Sequence, residues 1–161
     1  MAGEFVATIA PSGAGFSNNH IASNANIDAT KLNHQRMFSI ELAEQNTAVV
    51  AAQRLIGPIN GESGVWKSFE AAIVVQATGG DRTVTIDLHR STGGAAFATV
   101  MTTTINITNS TTILVPVAGV FSNSAIADGD VFKIVVTVAG AAGAQAKGLV
   151  VNLIGDFRAV A

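Results

Sequence analysis

The stretch "TVTIDLHR" (residues 83–90) decides the fold class. Val84, Ile86 and Leu88 fall on one side of an extended chain, with Thr83, Thr85, Asp87 and His89 on the other, the period of two that marks a half-buried strand. "RMFSIELAE" repeats the pattern with Phe38, Ile40 and Leu42 inward, and "VFKIVVTV" repeats it with Phe132, Ile134, Val136 and Val138. In the latter the opposite face, Val131, Lys133, Val135 and Thr137, is only half polar.

Turn chemistry punctuates these runs: "ATGGDR" and "STGG" flank the first, and "ADGD" and "GAAGAQAKG" flank the last. Read outward, the pattern predicts strands near 37–44, 47–57, 65–76, 83–90, 95–103, 111–117, 131–139 and 148–158. Eight short strands at regular spacing imply an all-β chain, an antiparallel β-sandwich of jelly-roll-like form. "LAEQNTAVVAAQRLI" (residues 42–56) is the one place where a short helix competes, and "NTAVV" weakens it with poor helix formers.

Ahead of the strands the composition changes. Residues 1–35 are rich in Gly, Ser, Asn and Ala and read as an extended N-terminal arm; residues 36–161 read as the sandwich domain. Within the arm, "SNNHIASNANIDATKLNHQR" (residues 17–36) holds Ile21, Ile27 and Leu32 in polar surroundings. Ile21 and Ile27 share a side of an extended chain, too widely spaced to bury one another. A disordered linker and an arm that orders on assembly both fit this spacing.

Composition limits the function classes. The 161-residue chain suits one domain, and 48% hydrophobic residues, 12% charged residues and a mean hydropathy of +0.43 point to surface used in a protein interface. A net charge of -2 with scattered basic residues argues against nucleic acid as a partner. No apolar run reaches the roughly 18 residues of a membrane span, and "MAGEFVATIAPSGAGF" does not read as a signal peptide, so no membrane partner and no ordinary export are expected. Without Cys there is no disulfide or thiolate site. Apolar alternate faces in "AAIVVQ" and "VFKIVVTV" predict a homotrimer.

"NIDATKLNHQ" after an Asn- and Ile-rich arm, followed by a β domain closing on "KGLVVNLIGDF", resembles small virion structural proteins of tailed bacteriophages: capsid decoration (cement) proteins and related head-fibre or tail-fibre attachment proteins. The resemblance rests on an I-x-A-[ST]-K-L-x-H core, met here by Ile27 to His34. It implies a non-enzymatic structural protein bound where capsid subunits meet, partnered by the major capsid protein or another virion protein, made in the bacterial host cytoplasm and carried on the capsid surface. It also implies a capsid-binding arm of Ile21, Ile27, Asp28, Lys31, Leu32 and His34.

Residue chemistry adds no enzyme. His20, His34 and His89 are dispersed, the carboxylates form no convincing pair, and no G-x-S-x-G or phosphate-loop spacing occurs. No cofactor, metal or catalytic residue is therefore expected. Asp128 and Asp130 in "ADGD" suit a turn better than calcium, which needs about six to eight oxygen ligands. The Asn106 and Asn109 sequons are assigned no glycan. Trp66, the only Trp, favours core or interface, while an exposed ring there would suit a fibre-associated module that binds a glycan or host receptor.

Overall fold

The computed structural model describes residues 33–160. Twelve strands occur among them: β1 (His34–Ala48), β2 (Ala52–Ile56), β3 (Glu62–Val75), β4 (Thr83–Ser91), β5 (Ala98–Thr99), β6 (Met101–Thr103), β7 (Ile105–Ile107), β8 (Val117–Ala118), β9 (Val120–Phe121), β10 (Ala125–Ile126), β11 (Val131–Ala139) and β12 (Lys147–Ala159). One sheet runs β1-β12-β3-β10, with β8 also on β3; the other runs β2-β11-β4-β5, with β7 also on β4. All these pairings are antiparallel.

The short elements combine into two broken strands. With β5 to β7 counted as the fifth and β8 to β10 as the sixth, one sheet holds the first, eighth, third and sixth strands. The other holds the second, seventh, fourth and fifth, so the chain is a jelly-roll β-sandwich of two interlocked Greek keys.

Alternation sets which side of each strand is inside. Val84, Ile86 and Leu88 of β4 face Phe132, Ile134 and Val136 of β11 along one sheet, and all six are buried. Phe69, Ala71 and Ile73 of β3 and Leu149, Val151, Leu153 and Phe157 of β12 supply the other wall. Phe38, Ile40 and Leu42 of β1 pack on this core as half-buried residues, because β1 is an edge strand. Near Gly155 the β12–β3 register shifts, and a Cβ on Gly155 would lie 2.8 Å from both the Trp66 and the Phe157 rings. Only glycine lets those two rings share that layer.

Several expectations need correcting. The predicted 111–117 strand is absent: residues 108–116 form a loop drawn along β3, with Leu114 N donating to Ile73 O at 2.9 Å. The 95–103 strand is broken into β5 and β6, and the 47–57 strand shrinks to Ala52–Ile56 because β1 runs on to Ala48. Residues 42–56 hold no helix. The "ATGGDR" turn carries the chain from β3 in one sheet to β4 in the other. A turn signal reports that the chain reverses; the burial of both flanking strands decides whether it also changes sheet.

Candidate assembly surfaces

Chain connections gather at the two ends of the sandwich. At one end Val49 N donates to Ala146 O and Thr78 N to Ala144 O, both at 2.9 Å, and Gln76 Nε2 donates to Asn109 O, which brings together the loops around residues 49–51, 76–82, 108–116 and 140–146. At the other end Ile59 N donates to Asp130 O at 2.9 Å and Thr92 Oγ1 to Asp130 Oδ1 at 2.6 Å. β1 begins at this second end, with His34 opposite Phe157.

His34 and Arg36 fix the start of β1. His34 Nε2 lies 3.1 Å from Glu62 Oε1, Arg36 Nη2 donates to the same oxygen, and the Arg36 guanidinium sits 5.3 Å above the centre of the Phe157 ring. His34 stacks on Phe157 with ring centroids 6.3 Å apart. Beside this latch an open hollow of about 360 Å³ is lined by Asn33, Ser63, Val65, Lys67, Asp156 and Arg158, with Lys67 Nζ 3.2 Å from Asp156 Oδ2. His34, predicted within the arm, is thus the first residue of β1. Ile21, Ile27, Asp28, Lys31 and Leu32 lie outside the described residues.

Trp66 is 2% exposed. Phe38, Phe132 and Phe157 stand edge-on around it, with ring centroids 5.9, 5.1 and 5.6 Å away. No ring face is left for a sugar to stack on. Its Nε1–H meets no acceptor, so the side chain contributes area and shape rather than a hydrogen bond.

Polar clusters are occupied in holding the backbone or one another. Asp128 Oδ1 accepts from Gly61 N at 2.7 Å, and Asp130, fully buried, accepts from Thr92 Oγ1 and Ala127 N. Asp87 accepts from His89 at 2.9 Å and from Thr99 Oγ1 at 2.7 Å, so the Thr99 hydroxyl bonds the carboxylate rather than the imidazole. Among the described residues no group of three or more His, Cys, Asp or Glu side chains could hold a metal ion.

Asp81 and Arg82 clamp the other end. Asp81 accepts from Ala141 N and Ala142 N, while Arg82 donates to the carbonyls of Gly140, Ala141, Ala142 and Gly143. Gly143 lies so close that a Cβ there would sit 1.8 Å from Thr78 O. The amides of Ala141 and Ala142 hold the Asp81 carboxyl below its usual range. A depressed folded-state value means that the charged form favours the fold, so this contribution is present above the unfolded value near 4 and is lost as pH falls through the folded one. Hydrogen exchange at Ala141 and Ala142 should therefore accelerate as pH falls below about 4, beyond the intrinsic trend. In Asp81→Asn the exchange should be fast throughout and lack that acid step.

Apolar surface occurs on the expected outer faces, where Val75 is 39% exposed and Leu55 lies opposite Lys133, and beyond them. Ala72 and Val74 of "AAIVVQ" and Val131 and Val135 of "VFKIVVTV" are half-buried on the outer sheet faces. The well-exposed apolar side chains include Val50, Leu55, Met37 and Val120, and Ile113, Leu114 and Val115 in one run. Sequence patterning missed that run because it was placed in a strand; three apolar residues before Pro116, with no alternation, were the available signal. Glu62, Asp81 and Arg82 carry no such mark, since their roles depend on partners distant in sequence.

No protein family matches the chain, and no curated protein does so. Among solved structures it is similar to a chain of turnip yellow mosaic virus at 11% identity and TM-score 0.40, over 80% of this chain and 92% of that one. It is similar to a chain from the empty head of that virus at 13% identity and TM-score 0.36, over 98% and 89%. A chain of infectious bursal disease virus, Gx strain, follows at 13% identity and TM-score 0.33, over 80% and 37%.

Proposed function

We propose that this chain is a non-enzymatic structural protein of a virion, a capsid decoration (cement) protein of a tailed bacteriophage. It acts as a homotrimer that stabilises the head by binding between subunits of the major capsid protein. One observation carries the reading: the I-x-A-[ST]-K-L-x-H segment of residues 27–34 leads straight into the edge strand of a jelly roll whose entry is latched by His34, Arg36 and Glu62. A latched entry gives an arm a fixed point of departure, so contacts made by Ile21, Ile27, Asp28, Lys31 and Leu32 would transmit to the sandwich.

The glycan-binding alternative rested on an exposed Trp66, and that ring is enclosed. The test is cosedimentation of the purified full chain with undecorated heads. The expected result is saturable binding at a fixed copy number and a higher temperature of head disassembly. Absence of the chain from pelleted heads at micromolar concentration would end the proposal.

A further inference from the structure

Residues 91–127 contain no Asp, Glu, Lys, Arg or His, although charged residues make up 12% of the chain. The fold collects this neutral stretch on one flank. It supplies β5 and β7, which pair with β4 in one sheet, and β8 and β10, which pair with β3 in the other, and it adds the small β6–β9 sheet. The opposite flank is formed by β1 and β2, which carry Arg36, Glu41, Glu44 and Arg54. Charge is thus segregated across the sandwich.

Apolar side chains stand out on the neutral flank, as Met37, Val50 and Leu55 do on the other. Leu114 is 69% exposed, Ile113 and Val115 about half, and Val120 is 54% exposed. Leu114 has φ of 58°, a left-handed conformation that a branched side chain rarely adopts, and its amide is tied to Ile73 O. The loop is therefore held in a strained form that leaves Leu114 exposed, the opposite of what folding alone would select. On the β3 side of the patch Glu70 lies opposite Ala118.

We infer that this flank is the surface by which copies of the chain meet around the axis of a homo-oligomer, with Ile113, Leu114 and Val115 nearest the axis. A residue close to a closed symmetry axis faces its own counterpart, so a charge there meets a like charge in a dehydrated setting. A neutral apolar ridge can meet its own symmetric copy without opposing like charges, which a flank carrying either sign could not do. The inference rests on the proposed function only for the count of three.

Sedimentation equilibrium of the full chain tests it without heads. Wild-type protein should run as a trimer of the 16.4 kDa chain. Leu114→Asn should weaken association by about 30-fold or more, the loss expected for a central apolar contact. Asn accepts the left-handed conformation, so the fold is not strained by this change. Leu114→Asn with Val115→Asp should run as single chains with unchanged far-ultraviolet circular dichroism. Val135→Lys, on an outer sheet face, should leave the trimer intact. The inference is overturned by wild-type protein of single-chain mass at micromolar concentration, by a double variant that keeps its mass, or by dissociation in Val135→Lys. A trimer that associates as described yet ignores heads would remove the virion reading and leave this one standing.

Discussion

Phe157→Ala should destabilise the sandwich by about 3–5 kcal/mol, the range for emptying a buried aromatic site. Phe157 is fully buried, stands edge-on to Trp66 and Phe38, and is covered at the arm end by His34 and Arg36. The surrounding groups cannot collapse into the space: Trp66 is held by two further rings, and β12 is paired on both sides, by β1 and β3. Domains of this size have total stabilities of about 5–15 kcal/mol, so the variant should lose a large share of its urea midpoint with the slope unchanged. Phe157→Leu should cost clearly less, because most of the volume remains. A Phe157→Ala loss below about 1 kcal/mol would mean that the layer of rings is not close-packed.

The double substitution Ile21→Asp with Ile27→Asp should abolish binding to undecorated heads, with a loss of about 100-fold or more, while the far-ultraviolet spectrum stays β-rich. Each arm would dock weakly through isolated apolar anchors, and three arms on one trimer multiply their effects, so damage repeated three times compounds. Removing residues 1–32 should have the same outcome, because the strands from His34 onward carry the dense alternating apolar positions and the arm sequence holds only a few isolated ones. If the truncated protein binds heads as tightly as the full chain, the globular surface carries attachment and the arm does not.

The fold class was legible wherever a strand buries one face against the second sheet. Val84, Ile86 and Leu88, like Phe132, Ile134 and Val136, alternate because each has a core on one side and water on the other. Pairing was not legible. β12 lies between β1 and β3, and β11 between β2 and β4, and those neighbours are chosen by contacts between distant parts of the chain rather than by any local pattern. The fifth and sixth strands were misplaced because they are broken into pieces of two or three residues, too short for a period of two to show.

For the candidate surfaces the outcome was uneven. Trp66 was readable as a large aromatic that favours burial, but the three phenylalanines enclosing it come from β1, β11 and β12. The Glu62 latch joins residues separated by 26 and 28 positions, and the Arg82 clamp spans about 60, so neither leaves a local spacing to find. The neutrality of residues 91–127 was present in the sequence as a gap, but only the topology places that gap on one flank.

A cryo-electron microscopy map of the parent particle would locate the chain. Jelly-roll density of this topology should lie on the outer surface of the head, where capsid subunits meet. Extended density should leave His34 and run across the capsid surface, with residues 113–115 of three copies around a common axis. Density for this chain in the tail alone, or no density for it anywhere on the particle, would contradict the account.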